Sequence, residues 1–425
     1  MSTPSRHRRV LYQWSDQLSQ HLPLTKSQVL GLALWSIGIV LAESGALTAA
    51  ALALSVWLGW PRLNLLKRLR EWYLEADAKK GTGSQGRGKN RRAWNVQQCA
   101  PALARWVLAL WPSRSIVLAL DPTTIGDRFT VLAISLVYRR SAIPLLWTVL
   151  PGNAPEAWEP HWERMLGHLA EVLDKDRFVL VVTDRGLYSP RLFHAIVRAD
   201  WHPLMRIRAQ GYYRPTGQSA WIPLANLQPQ RNQQQAWTGE AFKNAAGRLT
   251  CTLVAWWTEG HAEPWLLLTD LAVDRVQGCW YGLRSWIEPS FRQVKSAGWD
   301  CEQTRMSDAG RVERHWLALA LAMLWTVSVG GQAEAEEETN SREDAEIGEA
   351  RWLETLADAT NDKSGAAAAA LAQKPSAPWP WEHAVSVFRR GWTILSQALS
   401  GGRLLPITWH PEFLVKPVLA RAGFS

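Results

Sequence analysis

The sequence predicts an α/β protein: a mixed sheet with helices on both faces, a helical domain before it and a β-rich insertion within it. Residues 116–120 and 178–183 are continuous, branched apolar runs of strand length, the pattern of strands covered on both sides. From 158 to 207, segments of helical period alternate with such runs. Residues 1–110 instead place Val29, Leu32, Leu34 and Ile37, and later Leu65, Leu66, Leu69, Trp72 and Tyr73, at helical spacing.

Taken in order, Thr25 caps a first helix, 47–57 forms a second and 63–78 a third, with Lys67, Arg68 and Arg70 along its polar side. The segment 79–92 carries six Lys or Arg and no acid. A helical module with a basic helix and a basic loop suits recognition of DNA ends; an ordinary bundle with solvated cations gives the same pattern. Residues 111–208 hold the first part of the core. They read as a strand at 116–120, a hairpin of 130–138 and 143–150 about Arg139-Arg140, a helix at 158–173, a strand at 178–183, a helix at 190–198 and a strand at 202–207. Three strands followed by alternating helices and strands is the ribonuclease H-like order, in which strands one and four are neighbours. Residues 209–272 form the insertion, rich in Gln and Asn at 226–235, with strands at 248–256 and 264–271; Trp237, Trp256 and Trp257 are candidates there for stacking on a displaced base. Residues 273–330 return to the core with two helices, the second at 312–329. Residues 331–376 read as an acidic, then Ala-rich linker, partly disordered, and 377–425 as a C-terminal helical region with an amphipathic helix at 381–399.

Composition bounds the partners. Forty-seven basic against 38 acidic residues give a net charge of +9, which suits a polyanion. The run 334–349 holds eight acids and one Arg, so the remainder is more basic than the total suggests. Cys99, Cys251, Cys279 and Cys301 lie far apart without zinc-site spacing and read as thiols of a reducing compartment. The first 25 residues are polar and basic, unlike a signal peptide. The apolar run 29–42 is shorter than the roughly 20 residues that span a bilayer. A buried helix and a cytoplasmic protein are expected, with a membrane hairpin over 29–59 as the competing possibility. Most of the 27 tryptophans are expected in the core.

Three acids stand out. Asp121 closes the first apolar run, where Pro122 is expected to stop the strand, and Asp184 closes the run at 178–183. Ligand sites of open α/β sheets lie at such strand ends. On an α-helix, Tyr281, Arg284, Glu288, Arg292 and Lys295 would fall within roughly 80° of arc, beside the apolar stripe Trp280, Leu283, Ile287, Phe291 and Val294. Taken alone, that face is equally a solvated row of i,i+4 ion pairs. Pro289 directly after Glu288 makes a kink or a break there; a kink is expected, and a break would put Tyr281 and Arg284 on a different element.

The spacing of Tyr281, Arg284, Glu288 and Lys295, with Leu118-Ala-Leu-Asp121 and Thr183-Asp184-Arg185-Gly186, resembles the DDE transposases, specifically bacterial insertion-sequence enzymes with a Y-(2)-R-(3)-E-(6)-K signature. The resemblance covers about residues 110–330. It implies a ribonuclease H-like catalytic core and Mg²⁺-dependent phosphodiester cleavage followed by transfer of a 3′-hydroxyl. Asp121, Asp184 and Glu288 are then the catalytic acids and ligands of two Mg²⁺ ions, which Mn²⁺ can replace. Tyr281, Arg284 and Lys295 become contacts to DNA. Implied partners are double-stranded DNA, as the element's terminal inverted repeats and a target, and a second subunit on paired ends, with dimerisation a role for 377–425. A hairpin intermediate is also implied. A catalytically inactive, transposase-derived DNA-binding protein is the alternative.

Overall fold

A computed structural model describes residues 3–75, 93–152, 157–258, 261–361 and 385–410, with the backbone alone for 341–361. The expectations placed on 79–92 and on the Ala-rich part of the linker fall outside these residues.

The N-terminal region is helical: α1 (Thr3–His21), α2 (Lys26–Ala42), α3 (Leu47–Leu58), α4 (Arg62–Tyr73) and α5 (Val96–Ala109). Thr25 closes a capping box with Gln28, which fixes where α2 begins. It caps the second helix rather than the first. α1, in a stretch that offered only polarity and charge, is amphipathic, burying Val10, Leu11, Trp14 and Leu18 at helical spacing. α2 is buried nearly all round, and α2 and α3 meet at 92°. The segment Ala309–Asn340 is also long and apolar enough to cross a membrane, but 89% of its apolar window is buried inside the protein.

Ten strands form one mixed sheet: β1 (Ser115–Ile125), β2 (Phe129–Tyr138), β3 (Ser141–Pro151), β4 (Phe178–Thr183), β5 (His202–Ile207), β6 (Tyr212–Pro215), β7 (Ile222–Pro223), β8 (Gln233–Ala241), β9 (Leu249–Trp257) and β10 (Trp265–Thr269). Their order is β3-β2-β1-β4-β5-β10-β9-β8-β6-β7. β1, β4 and β5 are parallel and the other pairs antiparallel. The first five strands, with α6 (Glu159–Ala170) before β4 and α7 (Pro190–Arg198) after it, have the expected ribonuclease H-like order. Every residue of β2 is buried, so both faces of the sheet are covered there.

Several expectations are corrected. Pro122 does not end β1, which runs through Asp121 to Ile125 paired with β2. The parallel partner β4 stops opposite Leu120, so beyond it that edge of β1 has no ladder for a missing N–H to break. The insertion is β-rich, as expected, and it extends the same sheet: β10 pairs with β5 and carries the remaining strands outward. β8 was hidden because Gln233-Gln-Gln lacks a strand's apolar signal; its register with β9 supplies the order.

The acidic run is helical, not a linker: α9 spans Ala309–Asn361. Its helix period brings Glu334 and Glu338 to the β2–β3 turn. Arg139 donates to Glu334 at 3.1 Å and to Glu338 at 3.0 Å, and Arg140 also pairs with Glu334. Arg139 and Arg140 both take positive φ (42° and 61°), as a two-residue hairpin requires, and these ion pairs offset the strain. α10 (Val387–Ser400) begins later than expected and lies on α9 and α2. The α9–α10 crossing is close enough that a Cβ on Gly391 would stand 1.9 Å from the Thr326 carbonyl oxygen.

Trp14, Trp35, Trp147, Trp162, Trp299, Trp316 and Trp325 are fully buried, as expected of most tryptophans. Trp256 is buried too, while Trp237 and Trp257 are half-buried.

Candidate active site

The sheet register sets two of the acids. Leu120 and Thr183 are the last paired residues of the parallel β1–β4 ladder, so the next residue on each strand, Asp121 and Asp184, comes out beside the other.

The third acid arrives from a helix of two kinds. Gly278–Trp286 is a 3-10 helix, and α8 (Ile287–Lys295) continues from it without leaving right-handed helical backbone at Trp286 and Ile287. The change of element comes at Trp286, not at Glu288. It corrects the expected single α-helix with a kink. Pro289 sits in the first turn of α8, where a missing N–H costs no intrahelical bond. The signature spacing follows the change of helix. Residues three apart eclipse on a 3-10 helix, which aligns Tyr281 with Arg284. Residues four apart align on an α-helix, and Arg284 accordingly donates to Glu288. The buried stripe Trp280, Leu283, Ile287, Phe291 and Val294 is as the sequence indicated.

Ser290 was not anticipated and fixes the depth of α8. Its hydroxyl accepts from the Ala142 backbone N–H on β3 at 2.6 Å and lies 3.3 Å from the Trp286 carbonyl. Ser290→Ala would leave a buried N–H without an acceptor. We expect a loss of about 1–3 kcal/mol in urea unfolding, with Glu288 displaced and strand cleavage slowed.

All three acids reach one guanidinium. Arg284 Nη2 donates to Asp121 Oδ1 at 3.1 Å and lies 3.8 Å from Asp184 Oδ2, while Nη1 binds Glu288. Asp121 is 7% exposed, and Asp184 and Glu288 have side chains 40% and 55% exposed. Burial pushes the Asp121 carboxyl up to about 6; Arg284 opposes that, and the negative charges of Asp184 and Glu288 add to it. The Arg185 backbone N–H donates to Asp184 Oδ1 at 2.8 Å.

The other signature residues differ in placement. Tyr281 is 4% exposed, its ring edge-on to Trp265 at 5.0 Å, and burial raises its hydroxyl so that it stays a protonated donor at neutral pH. Lys295 ends α8 with Nζ 3.7 Å from Glu302. Arg292 is exposed and without an ion-pair partner among the described residues.

Residues 128–325 match the family model of the transposase DDE domain. That stretch is similar to the transposase DDE domain. The match spans slightly less than half of the chain; it includes Asp184 and Glu288 and begins after Asp121. No curated protein matches the chain. Among solved structures, the cryo-EM piggyBac transposase synaptic complex with hairpin DNA matches at a TM-score of 0.38 and 10% identity, over 98% of this chain and 82% of that one.

DDE domains work with divalent metal ions, and the donor chemistry fits one: hard carboxylate oxygens from three separate elements gather round a single positive charge. Among the described residues no group of three or more His, Cys, Asp and Glu is already arranged as a metal site. The guanidinium of Arg284 stands between the acids instead.

Proposed function

We propose that this protein is an insertion-sequence transposase that cuts DNA at the element's terminal inverted repeats and joins the freed 3′-hydroxyl to target DNA, through a hairpin intermediate and as a homodimer on paired ends. The meeting of Asp121, Asp184 and Glu288 at one cation carries this reading.

Those three residues would hold two Mg²⁺ ions, or Mn²⁺ in their place. Bound there, the ions supply an activated oxygen nucleophile at neutral pH and neutralise the charge of the leaving oxygen. Before loading, Arg284 relieves the mutual repulsion of the acids. It has a buried Nε without a hydrogen-bond partner, so its present contacts leave donor capacity unused. With DNA in place its planar fork suits a phosphate bidentately, and Lys295 adds a point charge. Tyr281 offers a hydroxyl donor from a fixed ring. We assign end recognition to 1–110. Contact between subunits falls to 377–425, by surfaces other than the α10 face already covered by α9.

Supercoiled plasmid bearing the element's ends, incubated with Mg²⁺, should be cut by the wild-type protein. Binding of the ends without any cutting would support the inactive DNA-binding alternative.

The raised Asp121 carboxyl gives a pH prediction. Cleavage needs the ionised acid, so its rate should fall as pH drops through about 6. Arg284→Gln removes a charge that lowers this value, and should move the acid limb of the rate profile to higher pH. Stability runs the opposite way. A carboxyl raised from 3.8 contributes stability fully present below 3.8 and lost as pH rises through about 6. A rate profile identical in the wild type and Arg284→Gln would contradict the assignment.

A further inference from the structure

On the insertion side of the acids the sheet carries a second charged cluster. Thr183 pairs with Met205 in the last register of β4 with β5, so the following residues, Asp184 and Arg206, stand side by side about 4.8 Å apart across the strands. Arg206 and Arg208 flank buried Ile207 and line one cavity of about 100 Å³ together with Arg185 and Glu263. Glu263 Oε1 accepts from Arg206 Nη2 at 3.0 Å and from Arg185 Nη1 at 3.2 Å. Arg208 is exposed and has no ion-pair partner among the described residues. Two guanidinium groups therefore share one carboxylate, and a third lines the same cavity without an ion pair.

We propose that Arg206 and Arg208, with Arg185, form a phosphate cradle for the DNA strand running from the acid cluster toward the insertion, with Glu263 in that place when DNA is absent. This rests on the reading of the chain as a DNA-cutting enzyme. The Glu263 side chain is 58% exposed and that of Arg185 48% exposed, so their ion pair is weak and readily exchanged for a phosphate that brings the same charge and oxygen acceptors. Side chains two residues apart along an extended chain leave on one face about 6.8 Å apart, comparable with the separation of successive phosphates in a strand. The guanidinium groups of Arg185 and Arg206 pair with Glu263 and not with Asp121, Asp184 or Glu288, so the cradle can be tested in the absence of metal.

The test is binding of a plain DNA duplex, followed by fluorescence anisotropy in EDTA over a series of salt concentrations. Each phosphate that the protein no longer neutralises lowers the slope of log K against log salt by about 0.9. The double variant R206A/R208A should lower it by about 1.8 from the same relation, and R206K/R208K should retain it. Glu263→Gln should tighten binding several-fold at low salt. An unchanged slope in R206A/R208A overturns the cradle while DNA binding by the protein stands. Failure of the wild type to bind any duplex overturns the functional reading and the cradle with it. Should R206A/R208A not fold, Glu263→Gln decides, and binding no tighter than wild type sinks the cradle.

Discussion

Asp121→Asn should abolish Mg²⁺-dependent strand cleavage, with a loss of at least about a thousandfold, or roughly 4 kcal/mol of barrier. Asp121 is the buried member of the three, so the loss of its charge is the least compensated by solvent. Asparagine keeps the shape and the acceptor to Arg284 Nη2 but removes the charge. Folding should survive, because the substitution also removes the cost of a buried carboxylate. A plasmid-nicking assay on purified, folded variant checks this, and wild-type cleavage would refute the role of Asp121.

Gly391→Ala should be the most destabilising small substitution in the C-terminal region. The added methyl would sit 1.9 Å from the Thr326 carbonyl oxygen and 2.6 Å from the Gly330 backbone nitrogen, groups that no side-chain rotation can move. α9 and α10 must separate, at about 3 kcal/mol. Gly167→Ala on α6 is the control: nothing stands within 4 Å of its Cβ, so the alanine should stabilise by about 0.5–1 kcal/mol. Urea unfolding of both separates a packing effect from a helix-propensity effect. Equal midpoints would contradict the close crossing of α9 on α10.

The sheet core and the three acids were legible because local signals agreed with the fold. Runs such as Phe178–Thr183 are buried on both faces and need no partner in the sequence to be recognised. Asp121 and Asp184 were marked by sitting where those runs stop, and the ladder register puts them together. What stayed hidden depends on neighbours distant in sequence. The acidic stretch after 333 looks like a solvated linker until Arg139 and Arg140, nearly two hundred residues earlier, meet Glu334. β8 is ordered by β9 rather than by its own glutamines. The 3-10 turn before α8 leaves no separate mark in composition, so spacing alone suggested one α-helix. Arg284 was expected to face phosphate; its place among the acids follows from the third dimension and explains how three carboxylates are held together.

The most direct measurement is Mn²⁺ binding by the purified protein, followed by electron paramagnetic resonance, in the wild type and in Asp121→Asn, Asp184→Asn and Glu288→Gln. If the three carboxylates form one cation site, each variant binds Mn²⁺ more weakly than the wild type. Undiminished binding in all three would show that these residues, although adjacent, do not hold the metal.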